Sequence, residues 1–494
     1  MKPAFDRLSR RQFLIGAGGT ALALPLLPSL LPKEARAATM AAASSERYFV
    51  HMTTWHAPFA TQFFGPLLDQ AAAQTQTYGG VNIRAATLAS AARTADGSTI
   101  ISDILRAKAS ALSARMLSRM NVINGLDFAV SVGHNRGGTL GGDATNVTID
   151  QVLARSGSFY PSTVAQPAIV RNLVSLSMSG SSTVNTTATA ESNVKLFDRL
   201  FKTTTTPGGG GGATDPTVLV DRVKEHADLV MADPSCSADC KVRLSNYLDL
   251  LSQTQAKVQT TVNSGFARPT VDTSAVEASS GFYGMPASQA QCEQLWNDIV
   301  VAAFAAGISR VYVAGPNTYT FGPEPEFAWH NDYAHALDDL TKRAGFNAAV
   351  QLQFEGAMLD IANKLDQVTT ADGQTMFDKS LIASGFEMGS GGNPGHHHNR
   401  CIPIVSLGDA GGYFKTGQSL DYRDLTSFSW SSDPHWYSGL LYTQWMGMVL
   451  RAMGVSTSDY DTTAYGYPNV RNANGDHTDA IWAAAGQNLP WLKA

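Results

Sequence analysis

Arg47-Tyr48-Phe49-Val50-His51-Met52 runs without a break into Thr53-Thr54-Trp55-His56. Tyrosine, phenylalanine and valine side by side, with no glycine or proline among them, favour an extended chain. The polar residues that follow mark where such a strand should stop. Four other segments share the pattern: Met120 to Asn124, Arg310 to Ala314, Ser380 to Ser384 and Ile402 to Leu407. Helices are expected between most of them, over Ile100 to Met116, Ser288 to Ala306 and Asn347 to Leu365. Short buried strands alternating with amphipathic helices predict an α/β fold, one sheet flanked by helices on both faces. The long spacing between strands predicts insertions around that sheet.

In an open sheet of this kind, ligands gather beyond the carboxyl ends of the strands. Polar residues follow each expected strand. The first runs into Thr53 to His56. The second leads to Asn124-Gly125-Leu126-Asp127 and then Gly133-His134-Asn135-Arg136-Gly137-Gly138-Thr139. His330-Asn331-Asp332-Tyr333-Ala334-His335 follows the third, Glu387 the fourth, and Gly408-Asp409-Ala410-Gly411-Gly412 the fifth.

The fourth of these groups is the richest. Glu387 precedes a glycine-rich stretch that ends in His396-His397-His398-Asn399. Imidazole and carboxylate together suit a divalent metal, zinc first. Side chains alternate along an extended segment, so His396 and His398 can share a target while His397 points away. The glycines allow the chain to fold back toward Glu387. His330 and His335 are five apart, which misses the helical ligand spacing but suits a loop; with Asp332 they form a second candidate metal set. His56, past the first strand, is a further candidate ligand, whereas His51 inside it is expected to pack in the core. In Gly133 to Gly142, successive backbone N–H groups around His134 could cradle an anion. Arg136 adds a fixed positive charge suited to phosphate, sulfate or carboxylate. Thr139 and Thr54 are candidate nucleophiles. His226, His435 and His477 stand alone and read as surface or structural residues, with Asp476-His477 as an alternative late element of the site.

The amino-terminal segment predicts the compartment. Ser9-Arg10-Arg11-Gln12-Phe13-Leu14, the apolar stretch to Leu31 and the small-residue site Ala35-Arg36-Ala37 read as a twin-arginine signal peptide over residues 1–37. Its partner would be the twin-arginine export machinery, which carries folded proteins, and its destination periplasmic or extracellular. Roughly 455 residues would remain, enough for a large core in one α/β domain over 38–494. A formal net charge of -5 and a pI near 6.1 give no electrostatic case for nucleic acid. No later apolar run suggests stable membrane insertion after cleavage.

One insertion stands out. Thr203 to Pro216, rich in threonine and glycine, cannot pack a core and predicts a mobile loop. Val218 to Met231 and Ala238 to Val262 then read as a helical hairpin over about 217–263, with Leu244, Tyr247, Leu248 and Leu251 on one apolar face. Cys236 and Cys240 sit in the turn between its arms, where an oxidising compartment would let them form a staple. Four cysteines in all are too few for a disulfide-built scaffold.

These residues resemble the HXXSHH domain family of exported bacterial proteins, from the leader to the carboxyl terminus. The resemblance rests on Asn124-Gly125-Leu126 with Gly133-His134, Thr148 to Leu153, Asn193 to Phe201, the helical hairpin and Gly385 to Gly389 with its following histidines. Lys415-Thr416-Gly417 and Leu420-Asp421-Tyr422 extend it. Aligned on His330 and His335, the naming motif has Tyr333 in place of its serine and Ala334 in place of one histidine. The layout is similar, more distantly, to the alkaline phosphatase-like superfamily. That resemblance implies an alkaline phosphatase-like sheet holding metal at its strand ends, through Glu387, His396 and His398 as a late group and His330, Asp332 and His335 as a middle group.

The expected function is therefore that of an exported metal-dependent hydrolase acting on a small anionic ester of phosphate or sulfate type. The alternatives are a non-catalytic exported binding or assembly protein with a vestigial metal site, and a metal-carrying accessory protein.

Overall fold

The computed structural model describes residues 13–15, 21–23, 45–56, 64–66, 68, 73–129, 138–141, 147–161, 164, 166–171, 196–197, 200–201, 227–228, 230–234, 236–263, 286–314, 333, 336–337, 339–389, 399–425, 438–460, 462–471 and 477–494. Its strands, in chain order, are β1 (Phe13–Ile15), β2 (Ala21–Ala23), β3 (Tyr48–His56), β4 (Gln74–Tyr78), β5 (Val81–Thr87), β6 (Arg93–Ala95), β7 (Ser98–Ile100), β8 (Arg106–Lys108), β9 (Met120–Asp127), β10 (Ile169–Val170), β11 (Val311–Ala314), β12 (Ser380–Met388), β13 (Ile402–Leu407), β14 (Gln418–Asp421) and β15 (Leu440–Leu441). β1 pairs with β2, and β6, β7 and β8 form a small antiparallel sheet. The others build one mixed sheet in the order β10-β11-β3-β12-β13-β9-β14-β5-β4, with β15 added beside β9.

Within that sheet β10, β11, β3 and β12 are parallel, as are β9, β14 and β15. β13 is antiparallel to both of its neighbours, β12 and β9. β5 is likewise reversed, against β14 and β4. The carboxyl ends of β3, β12, β9 and β14 thus share one edge, and β13 enters the sheet from that edge. The expectation that Gly408 to Gly412 joins the strand-end group is corrected here: because β13 runs backwards, its end lies at the opposite edge. There Gly408 donates its N–H to the Arg119 carbonyl at 2.8 Å, and Asp409 pairs with the Arg119 guanidinium.

Alternation along the strands feeds two cores, one on each face, as an α/β sheet requires. Tyr48, Val50, Met52, Val122 and Ile382 meet Trp296, Phe304, Phe346, Val350 and Ile361 on one side. On the other side, Phe49, Ile123, Leu381 and Ile404 meet Leu153, Trp445, Val449 and Trp482. Helices therefore cover both faces. Those carrying the first set are Pro286–Ala305, Leu340–Gln353 and Asp360–Asp366; those carrying the second are Ile149–Arg155, Tyr442–Ala452 and Asp479–Ala483.

The helix Leu340–Gln353 starts where the Asp339 carboxylate accepts from the N–H groups of Thr341 and Lys342, at 2.8 and 3.1 Å. A π-helical turn, Phe354–Leu359, joins it to Asp360–Asp366, so the expected Asn347 to Leu365 helix is longer and carries a bulge. Ile100 to Met116 is not a helix. Ser102 accepts the Leu105 N–H on its hydroxyl at 3.0 Å, and this local bond holds a bend that diverts the chain into β8. Only Ala114–Ser118 is helical, capped by Ser113. The helix Ala238–Asn263 agrees with the second arm of the expected hairpin, and Leu244, Tyr247, Leu248 and Leu251 are all buried. The loop Thr203 to Pro216 lies outside the described residues, as does most of the first arm. Cys236 and Cys240 are free, buried thiols.

Candidate active site at the carboxyl edge

Glu387, next to last in β12, is only 2% exposed. Alternation places it on the face of Leu381 and Ala383. His56 ends the neighbouring β3 in register with Met388. Its side chain lies outside the described residues.

On the same face, the turn Gly138–Leu140 lays Thr139 against β3 and β12. The Thr139 hydroxyl shares hydrogen bonds of 2.9 Å with His51 Nε2 and with the Thr53 hydroxyl. Tyr442 donates its hydroxyl to the Thr139 carbonyl at 3.1 Å. Gly385 leaves room for this approach: a Cβ there would sit 3.3 Å from Thr139 Cγ2 and 3.2 Å from the Tyr442 hydroxyl. Burial holds His51 down at a pKa of about 3, so the ring is neutral. His51 is packed in the core, as expected, and Thr139 is 1% exposed with its hydroxyl engaged twice.

A second pair lies at the end of β9. Asp127 is fully buried. Its Oδ1 accepts from the Cys401 N–H at 2.9 Å, and its Oδ2 accepts from the Gly439 N–H at 2.8 Å and from His477 Nε2 at 2.9 Å. The chain bends hard to deliver these donors. Cys401 adopts φ +51°, a conformation that side chains disfavour. At Gly439 a Cβ would lie 1.9 Å from the Gly125 carbonyl oxygen, so only glycine fits. The His477 ring stands edge-on to Trp482, with centroids 5.8 Å apart. Phe128, which follows Asp127, packs on Tyr442 at 4.6 Å between ring centroids.

Outside this centre the strand ends are locked by ion pairs. Beyond β10, Arg171 grips buried Glu293 with both Nη atoms and lies over the Trp296 ring at 4.8 Å. At the end of β14, burial alone would raise the Asp421 carboxyl. Arg423 and Arg84, at 2.7 and 2.6 Å, outweigh it and hold the group below its usual range. Buried Arg400, just before β13, donates to the Ser438 hydroxyl at 3.0 Å.

Of the residues expected to form the site, Glu387 and the backbone of His56 are brought to one edge, while Thr139 packs further in, against the middle of β3 and β12. His134, Arg136, His330, Asp332, His335, His396 and His398 lie outside the described residues. Tyr333 packs its ring under Lys342 Nζ at 4.5 Å. Among the described residues, no three His, Cys, Asp or Glu side chains converge as a metal group. The Asp127–His477 pair was the residue set hardest to foresee. Asp127 closed a polar strand end, but nothing in the sequence tied it to a histidine 350 positions away. No protein-family model, no curated protein and no solved structure matches this chain.

Proposed function

We propose that this chain is an exported, metal-dependent hydrolase of the HXXSHH type, built on an alkaline phosphatase-like sheet and acting on a small anionic ester of phosphate or sulfate. The observation that carries the reading is that buried Glu387 and the Asp127–His477 pair both lie at the carboxyl edge of one sheet. That edge is where open α/β sheets bind ligands. Twin-arginine export to the periplasm or beyond follows from the leader and belongs to the same proposal.

The donor chemistry fits a divalent ion, zinc first: a carboxylate on β12 beside a chain segment rich in imidazole. Glu387, His396 and His398 would hold it, with His330, Asp332, His335 and His56 as a second or completing set. When bound, such an ion lowers the pKa of a water to ~7 and polarises the ester oxygen. Arg136 and His134 would steady the anionic group. Thr139 serves here as an anchor for the turn that follows them. A ring held neutral at a pKa of about 3 is a poor acceptor for the threonine proton, so attack falls to water.

The test is metal analysis of protein recovered from the exported fraction, with turnover of para-nitrophenyl phosphate and sulfate before and after chelation. Metal-bearing wild-type protein that loses both metal and turnover as Glu387→Ala supports the reading. Metal-free protein that chelation leaves unchanged in stability and activity sinks it. The burial of Thr139 and the Tyr333 ring in the serine position favour one second reading, a non-catalytic exported binding or assembly protein on the same scaffold. That reading expects ligand binding without turnover.

A further inference from the structure

His477 is not an isolated surface residue. Its side chain is 5% exposed, and Nε2 meets an Asp127 carboxylate with no exposure at all. Both oxygens of that carboxylate already accept backbone N–H groups, from Cys401 and Gly439. With both oxygens already accepting, the carboxylate is best served by a third donor, so we assign the ring proton between the two residues to Nε2. This fixes the ring. With Nε2 engaged, Nδ1 is the ring nitrogen that makes no hydrogen bond among the described residues, and so the one assigned to proton exchange. The glycine-only contact of Gly439 with Gly125 and the positive φ of Cys401 show how much backbone is committed to holding one carboxylate in place.

We propose that His477 is the general acid of this site and that Asp127 is its positioning residue. The proposal rests on the hydrolase reading above. In the step assigned, the oxygen of a water bonds to the phosphorus of the ester as the bond from phosphorus to the leaving alcohol oxygen breaks. The Nδ1 proton of the His477 imidazolium passes to that leaving oxygen. The proton released by the attacking water restores the imidazolium, so ester and water become alcohol and phosphate with no proton unaccounted for. The buried carboxylate of Asp127 compensates the ring charge in its protonated state.

Leaving-group dependence tests this. Para-nitrophenolate leaves without help, whereas the alkoxide of glycerol 2-phosphate needs a proton. His477→Gln in the full-length exported protein should lose roughly 10²–10⁴-fold in kcat on glycerol 2-phosphate and less than about 10-fold on para-nitrophenyl phosphate. His477→Ala should regain part of the lost rate with added imidazole, a rescue that a purely structural role does not allow. Equal losses on the two esters with no imidazole rescue overturn the assignment while leaving the hydrolase reading intact. A wild-type protein that turns over neither ester overturns the hydrolase reading and this one with it.

Discussion

The two edges of the central sheet carry polar residues of different kinds. At the amino edge, before β9 and β12 and after β13, acids are matched to permanent cations. Arg115 holds Asp366 and Asp378 at 2.6 and 3.1 Å, Arg119 pairs with Asp378 and Asp409, and buried Lys379 pairs with Asp372 at 2.6 Å. At the centre of the carboxyl edge, the buried Asp127 carboxylate meets an imidazole and backbone N–H groups instead. A carboxylate clamped by guanidinium has its charge fixed. One that faces an imidazole can take part in moving a proton. The difference teaches that position on a sheet edge does not by itself mark a site; the partner chosen for each acid does.

The largest effect should come from the amino edge. Asp372→Ala removes the carboxylate 2.6 Å from the fully buried Lys379 ammonium, and should cost up to about 3–5 kcal/mol in urea unfolding with metal content unchanged. Glu387→Ala should do the reverse. Metal affinity should fall by at least roughly 100-fold, the upper end of what even outer partners of a metal contribute, with a much smaller loss of stability. If both variants lose stability and metal together, the edges do not differ in role. Thr139→Val strands the His51 ring and should cost roughly 1–3 kcal/mol, with Thr139→Ser close to wild type.

Acid titration offers a finer measurement. Burial alone would raise the Asp372 and Asp378 carboxyls, but Lys379 with Thr370 outweighs it at the first, and Thr375 with Arg115 at the second. Both groups therefore titrate below the usual 3.8. A folded pKa below the unfolded one adds stability that is present above pH ~4 and is lost as pH falls through the depressed value. Unfolding free energy should thus decline on that acid limb, and Asp378→Asn should flatten it. The smallest effect is expected for Arg115→Ala. Its side chain is 41% exposed, so solvent screens its pairs and the loss should be about 0–1 kcal/mol.

Much of this architecture was legible in the sequence, and the failures have physical causes. Val50, Ile123, Ile382 and Ile404 sit in apolar runs buried on both faces, and such runs announce central strands. β4, by contrast, is an exposed edge strand of Gln-Thr-Gln-Thr-Tyr with no apolar run to reveal it. Ile100 to Met116 has enough apolar residues to imitate a helix, yet one serine side chain redirects it. Strand direction was the deeper gap. The apolar run Ile402 to Leu407 reads alike in both senses, so the reversal of β13, and with it the displacement of Asp409 from the site, had no local signal. Glu387 and Thr139 were legible as polar groups beside strands; the bond from Asp127 to His477 depends on tertiary closure alone.

The reversal of β13 has one more consequence. β12 and β13 are adjacent and opposed, so the chain leaves the sheet after Met388 and re-enters at Ile402 from the same side, one strand spacing away. A parallel neighbour would have required a long crossover, which ties the connection to the packing of a whole layer. A hairpin connection carries no such obligation, and doubling its length costs only about 0.6 kcal/mol in closure entropy. Upstream of Asn399, whose neighbours Arg400 and Cys401 are tied to Ser438 and Asp127, such a connection can be shortened or extended, in evolution or by grafting, while the register of the surrounding strands stays untouched.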